Sequence, residues 1–190
     1  STGTHATVVG GQSNVASGPH AVVAGGLTNN AAGTRSAIGG GQFNSIAAGY
    51  TVIGGGANNT NNTDYGTIGG GVTNSITNIF ATSNTASTNT HATVVGGSTN
   101  TASGQYSVAG GLTNTASGES SVALGRQNIA SANKSASIGF NNNNTTQFGI
   151  AIGSDNTVTQ GGGFQYAAVV GNNNSVTAGS RNYVFGEENA

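Results

Sequence analysis

The chain has 190 residues, of which 5% are charged, and its formal net charge is −1. A typical globular protein carries about 25% charged residues, and the near-neutral balance leaves no basic surface for nucleic acid. The absence of cysteine excludes a disulfide framework, a zinc knuckle and a thiol nucleophile.

No apolar run approaches the ~20 residues that a membrane-spanning helix needs, so we expect no membrane insertion by this segment. The chain begins at Ser1, contains no methionine and shows no signal peptide. We interpret it as a processed or excised piece whose export signal or anchor lies outside it. Disordered chains are usually rich in charge and proline, whereas this one has a single proline, which favours a regular repeat.

A Gly-x-x-Asn pattern recurs twelve times, with a 15-residue period from Gly11 to Gly71 and a 14-residue period from Gly97 to Gly153. Wider spacings separate Gly71 from Gly97 and Gly153 from Gly171. The repeat glycines are Gly11, Gly26, Gly41, Gly56, Gly71, Gly97, Gly111, Gly125, Gly139, Gly153, Gly171 and Gly186. We interpret residues 1–190 as one repeat domain, with insertions at about 75–90 and 160–167.

Within each repeat, an alternating apolar stretch precedes the glycine, and this period of two indicates a strand. The positions three before the glycine hold Val8, Val23, Ile38, Ile53, Ile68, Val94, Val108, Val122, Ala136, Ile150, Ala168 and Tyr183. A second small apolar residue often follows two positions after the Asn, as in Ala16 and Ala31. Gly and Asn suit the corners because both tolerate positive φ.

Two short strands and two turns in each repeat predict one coil of an all-β, parallel β-solenoid. About twelve coils at a spacing of about 4.8 Å would span roughly 55–60 Å. The opposite strand face is also small or apolar, as at Val9, Ala24 and Ala109. Strands that are apolar on both faces need both faces covered, which predicts side-by-side packing of several chains; a flattened monomer is the alternative.

Two stretches carry a family resemblance: "SSVALGRQNIASANKSASIG", residues 120–139, and "GIAIGSDNTV", residues 149–158. They resemble the repeated S-V-A-I-G motif of trimeric autotransporter adhesin heads, and Gly-rich versions also occur in phage and viral fibre proteins. The resemblance covers essentially the whole chain but is looser in residues 4–71, where Gly replaces the usual Ile. It implies a left-handed parallel β-roll, three chains about a threefold axis, and an adhesive role.

The three histidines, His5, His20 and His91, stand six positions before a repeat glycine. The other residues of this column are Arg35, Tyr50, Tyr65, Gln105, Glu119, Asn133, Gln147, Gln165 and Ser180. The column predicts a ridge that either contacts a ligand, since aromatic residues and Arg are typical anchors, or keeps a rod of low charge soluble. No third metal ligand recurs with His5 and His20, so we expect no metal site.

Catalytic residues are not evident. The five acids, Asp64, Glu119, Asp155, Glu187 and Glu188, offer no convergent pair for glycoside hydrolysis. No Gly-Lys-Ser/Thr follows the Gly triplets, so they do not predict a phosphate loop. We expect neither enzymatic activity nor a cofactor.

The two insertions predict loops that leave one face of the solenoid. The first contains Ile79 and Phe80, and the second contains Phe164 and Tyr166. These side chains either anchor a partner or pack against the lumen edge or a neighbouring chain.

The sequence therefore favours an extracellular, non-catalytic adhesive or receptor-binding rod, on a bacterial surface or in a phage or viral fibre. Its expected partners are itself, as a homotrimer, and a host-surface or matrix protein or a glycan. The alternative is a structural fibre or spacer segment whose ligand contacts lie elsewhere. An ice-binding solenoid would need an unbroken ladder of Thr, and Phe43 and Gln127 interrupt the corresponding column.

Overall fold

A computed structural model describes residues 1–77, 91–160, 166–178 and 181–188. In these ranges the chain forms two parallel sheets joined by turns, and no helix occurs in them. The first sheet contains β1 (Thr7–Val8), β3 (Val22–Val23), β5 (Ala37–Ile38), β7 (Val52–Ile53), β9 (Thr67–Ile68), β11 (Thr93–Ser98), β13 (Val108–Leu112), β15 (Val122–Arg126), β17 (Ala136–Phe140), β19 (Gly149–Ser154), β21 (Tyr166–Asn172) and β23 (Arg181–Glu187). The second contains β2 (Val15–Ala16), β4 (Asn30–Ala31), β6 (Ser45–Ile46), β8 (Thr60–Asn61), β10 (Ser75–Ile76), β12 (Thr101–Ala102), β14 (Thr115–Ala116), β16 (Ile129–Ala130), β18 (Asn143–Asn144), β20 (Thr157–Gln160) and β22 (Ser175–Ala178).

Each coil contributes one strand to each sheet, and every strand pairs in parallel with the equivalent strands of the adjacent coils. The chain is therefore a parallel β-solenoid, which confirms the predicted fold class. It has about eleven turns rather than twelve complete coils, because no second-sheet strand follows β23 within the described residues.

Small apolar side chains from both sheets fill a narrow lumen. The small apolar residues that follow the repeat Asn by two positions are buried: Ala16, Ala31, Ile46, Ile76, Ala102, Ala116, Ala130, Val158 and Val176. The first sheet of the earlier coils buries Val23, Ile38, Ile53, Ile68 and Val94, which stand three residues before the repeat glycine.

From β13 onward the inward position of the first sheet moves to two residues before the repeat glycine. The buried residues there are Ala109, Ala123, Ser137, Ala151 and Val169. Val108, Val122, Ala136, Ile150 and Ala168 are partly or fully exposed instead.

A β-bulge causes this change of face. Val94 pairs with Ala109, but the next pair is Gly97 with Gly111, so β11 holds one residue more than β13 between the same two points. Loss of that residue accounts for the shorter coil in the later part of the chain. It also lets the first-sheet strands pair over five residues instead of two, as in β13 and β15.

The repeat asparagines explain why the turn sequence is kept. The Oδ1 of Asn14 accepts hydrogen bonds from the backbone N–H and the Nδ2 of Asn29, at 2.9 and 3.2 Å. The same Nδ2 donates to the carbonyls of Gly25 and Gly41, at 3.0 and 2.9 Å. This chain of amides continues coil by coil to Asn174, so it supplies partners for turn carbonyls that would otherwise be buried without them.

Both insertions leave the stack of coils in register. Asn100 bonds to the Oδ1 of Asn74 across the first insertion, and Asn174 bonds to the Oδ1 of Asn156 across the second. Strands β9 and β11 also pair directly. The insertions are therefore additions to a continuous solenoid.

Candidate functional site

Long side chains form one line along the solenoid, at the corner where the chain passes from the second sheet to the first. Backbone hydrogen bonds join adjacent coils there, as from His20 N–H to the Thr4 carbonyl and from Lys134 N–H to the Glu119 carbonyl, at 2.8 and 2.7 Å. We call this line the outer ladder; its members are His5, His20, Arg35, Tyr50, Tyr65, His91, Tyr106, Ser120, Lys134, Phe148, Tyr166 and Arg181.

The outer ladder includes seven of the predicted site residues: His5, His20, Arg35, Tyr50, Tyr65, His91 and Tyr166. It does not continue through the predicted Gln105, Glu119, Asn133 and Gln147, which each precede a ladder residue by one position. Ile79, Phe80, Phe164, Gln165 and Ser180 lie outside the described residues.

The one-position difference between the predicted column and the ladder has the same origin as the change in which face of the first-sheet strands points into the lumen. The shorter coil has lost a residue between the corner and the glycine, so counting back from the glycine shifts the column by one. Counting six residues forward from the repeat Asn finds ladder residues in both kinds of coil, since Asn44 leads to Tyr50 and Asn100 leads to Tyr106. That count reveals Tyr106, Lys134 and Phe148, which the count from the glycine missed.

The rings of the ladder stack face to face along the axis. Ring centroids are 5.0 Å apart for His5 and His20, and 5.1 Å for Tyr50 and Tyr65. His91 lies between Tyr65 and Tyr106, at 5.0 and 5.3 Å. These separations match the spacing of parallel strands, about 4.8 Å, so the coils themselves set the stack. Neighbouring rings cover one another's faces, while Tyr50, Tyr65 and Tyr106 as whole residues remain about half exposed.

At several ladder rings, a cationic side chain lies over the face that has no neighbouring ring. The guanidinium carbon of Arg35 is 5.3 Å from the centroid of Tyr50, and the Lys134 Nζ is 5.2 Å from that of Phe148. Arg181 lies over Tyr166 at 6.0 Å. Such contacts contribute about 0.5–1 kcal/mol each at exposed sites. Three of the four Lys and Arg residues and all three histidines thus belong to one line of an otherwise weakly charged rod.

A shallow groove of about 450 Å³ lies beside the ladder at Tyr50 and Tyr65. Ala48 and Gly49 contribute to its lining, together with Thr34 and Asp64. The Oδ1 of Asp64 accepts a hydrogen bond from the backbone N–H of Gly49 at 2.8 Å. The groove therefore combines a carboxylate, tyrosine side chains and small apolar groups.

A second surface feature is an apolar column on the outer face of the first sheet. Ile138, Ile152 and Phe185 are 37%, 38% and 71% exposed, and they pair in register through Leu124 and Val170. In the longer coils glycines such as Gly25 and Gly55 stand at the corresponding place before the repeat glycine. The continuous column of large apolar side chains is thus confined to the later coils, while Val9 and Val95 are exposed on the first sheet of the longer coils.

Neither metal ligation nor a membrane helix emerges from the described ranges. They contain no group of three or more His, Cys, Asp or Glu side chains placed to hold a metal ion. They also contain no helix whose length and apolar character would let it cross a membrane. No protein-family model matches the chain, and no curated protein matches it significantly.

Proposed function

We propose that this chain is an extracellular, non-catalytic rod that binds a receptor or host surface, on a bacterial cell or in a phage or viral fibre. The outer ladder carries this proposal. It concentrates aromatic and cationic side chains, the types that most often anchor interfaces, on one line that holds three of the four Lys and Arg residues and all three histidines.

The proposed mechanism is repeated presentation by a stiff scaffold. The solenoid holds each ladder residue at the coil spacing, so a ligand with repeated groups engages several weak contacts at once. Linked contacts gain effective concentration, and avidity can exceed the single affinity by about 10²–10⁴. The ligand is a surface or matrix protein or a glycan.

We further propose that three chains pack side by side as a left-handed roll, with the apolar column of Leu124, Ile138, Ile152, Val170 and Phe185 against the neighbouring chains. The support is the two-sided pattern of strands β15 to β21. Ala123 and Ala151 fill the lumen, while Ile138 and Ile152 are partly exposed on the single chain. A sheet with two apolar faces needs a cover on each.

A structural fibre or spacer segment is the second candidate. The observation that favours it is that neighbouring ladder rings cover each other's faces, as Tyr65, His91 and Tyr106 do. Stacking of this kind stiffens the corner of the solenoid without any ligand.

A binding experiment separates the two candidates. The fluorescently labelled chain is applied to cultured epithelial cells and, separately, to immobilised bacterial cells. The test variant carries Tyr50→Ser, Tyr65→Ser and Tyr106→Ser, because Ser120 is a natural ladder residue. The control is Phe43→Ser, which removes a side chain that is 47% exposed at another corner, where Ser13 occupies the equivalent position.

The adhesive proposal predicts that wild type and Phe43→Ser bind one of the two cell types alike and that the triple variant binds at least tenfold more weakly. Circular dichroism verifies that all three chains are folded. Equal binding by both variants, or no binding by the wild type, would favour the spacer.

A further inference from the structure

The groove beside Tyr50 and Tyr65 occurs where the column that precedes the outer ladder has no side chain. In successive coils this column holds Thr4, Pro19, Thr34, Gly49 and Asp64. Gly49 therefore leaves a hollow between Thr34 and Asp64, which stand two coils apart, or about 9.6 Å at the usual strand spacing. The hollow is part of the 450 Å³ groove.

The backbone does not require glycine at this place. Gly49 is not among the residues with positive φ. A methyl group built on it lies 3.3 Å from the Thr34 carbonyl oxygen and 3.6 Å from Asp64 Oδ1, so a small shift would accommodate it. Thr4 and Thr34 show that the fold accepts a larger residue in this column. The absence of a side chain at Gly49 leaves room for a ligand.

The polar groups of the groove suit hydroxyl groups rather than charges. The N–H of Gly49 holds one oxygen of Asp64 at 2.8 Å, and the carboxylate keeps further lone pairs that can accept from a sugar hydroxyl. The Thr34 and Tyr65 hydroxyls can both donate and accept. Ala47 and Ala48 supply methyl groups among the lining residues, against which the C–H face of a ring can pack.

Two other ligand classes fit less well. An anionic sugar would meet the carboxylate of Asp64, which is the one charged side chain among the lining residues of the groove; Arg35 is not one of them. A flat aromatic ligand would need an open ring face, and Tyr50 and Tyr65 stack on each other at 5.1 Å. The groove volume falls within the range of about 300–1,000 Å³ for small-molecule sites.

We propose that this groove binds an uncharged pyranose ring of a glycan. Asp64 accepts from adjacent sugar hydroxyls, Thr34 and Tyr65 complete the hydrogen bonds, and the ring lies against the alanines. This inference rests on the proposed function, because it names the ligand class of the same rod. One weak site per chain then gains avidity if three chains assemble.

The test uses the full chain and saturation-transfer-difference NMR with the methyl glycosides of glucose, galactose, mannose and N-acetylglucosamine as probes. Asp64→Asn keeps an oxygen for the Gly49 N–H but removes the charge, and Gly49→Thr fills the hollow with a residue native to the column. Glu119→Gln is the matched control, because Glu119 precedes ladder residue Ser120 as Asp64 precedes Tyr65.

The expected result is saturation transfer to at least one glycoside, with binding at least tenfold weaker in Asp64→Asn, lost in Gly49→Thr and unchanged in Glu119→Gln. Transfer to none of the probes, or unchanged binding by Gly49→Thr, would overturn the proposal. Binding of methylamine in place of the glycosides, lost in Asp64→Asn, would also overturn it, by identifying a cation site.

Repeating the cell-binding experiment with Gly49→Thr separates this inference from the proposed function. If the groove is the glycan site, Gly49→Thr loses both glycoside and cell binding. Cell binding that persists in Gly49→Thr and disappears in the triple tyrosine variant would contradict the glycan site in the groove. It would still support the adhesive function of the rod. If the wild-type chain binds neither cell type, the proposed function itself is contradicted.

Discussion

The size of the side chain at one lumen position is matched to the size of the side chain at a neighbouring position. The inward position of the second sheet holds Ala or another apolar residue in most coils, but it holds Asn61 and Asn144 in two of them. In those two coils the residue five positions later is glycine, Gly66 or Gly149. A Cβ at Gly149 would meet the side chain of Asn144, so the larger amide is accommodated by the missing side chain.

This pairing predicts that Gly149→Ser destabilises the fold by about 2 kcal/mol, a usual cost of overpacking. Asn144→Ala alone costs about 1–2 kcal/mol, because it removes hydrogen bonds to the Thr146 N–H and the Ala136 carbonyl, both of 3.1 Å. The double variant recreates the Ala116 and Ser121 pair of another coil and recovers most of the loss. Chemical denaturation followed by circular dichroism measures all three midpoints.

A matched control is Ser121→Gly, which removes a side chain without touching an Asn coil. It should not couple to Asn144→Ala, since the two residues lie more than one coil apart. Additive effects of Asn144→Ala and Gly149→Ser would contradict the proposed steric pairing.

At the scale of strands, the β-bulge divides the first sheet into two kinds of coil. All coils up to the one that ends at Gly97 contain the extra residue, and those from Gly111 onward lack it. A coil that matches both neighbours keeps regular pairing, so the mismatch is confined to the junction between β11 and β13.

Deletion of Gly96 should therefore be nearly neutral, within about 1 kcal/mol, because it moves the single mismatch from one junction to the adjacent one. Deletion of Gly55 places a short coil between two long ones and creates two new mismatches, so it should cost at least about 2 kcal/mol. Thermal unfolding of the two deletion variants beside the wild type provides the measurement. If both deletions lower the midpoint equally, the nearest-neighbour explanation of the coil length is wrong.

At the scale of the whole molecule, the unpartnered apolar column predicts assembly. We expect light scattering to give a mass three times the 18.3 kDa of the chain. Ile138→Ser with Ile152→Ser should shift the mass toward the monomer, because polar side chains would replace the apolar cover. Ile129→Ser is the control, since Ile129 is 40% exposed on the second sheet and lies outside the column.

The first insertion should not affect this mass. Removing residues 79–89 shortens the 26-residue spacing between Gly71 and Gly97 to the 15-residue period of the preceding coils. A monomeric wild type would remove the packing argument, and a monomeric deletion variant would assign the first insertion to the contact between chains.

The local pattern of the sequence was sufficient to predict the parallel solenoid, the turns at Gly-x-x-Asn and a second short strand after each turn. These features follow from period, residue size and tolerance of positive φ, which are properties of each coil. It was also sufficient to place Tyr50, Tyr65 and His91 in one column.

The tertiary structure decided which strand face points inward after Val94 and which side chains continue the ladder at Tyr106, Lys134 and Phe148. It also decided that Gly49 opens a groove next to Asp64. The physical reason is that the loss of one residue exchanges the two faces of a strand, and the pairing of that strand with the next coil determines which residues are affected. The shorter spacing of the later repeats reveals that one residue is missing, whereas the register of the paired strands reveals its position within the coil.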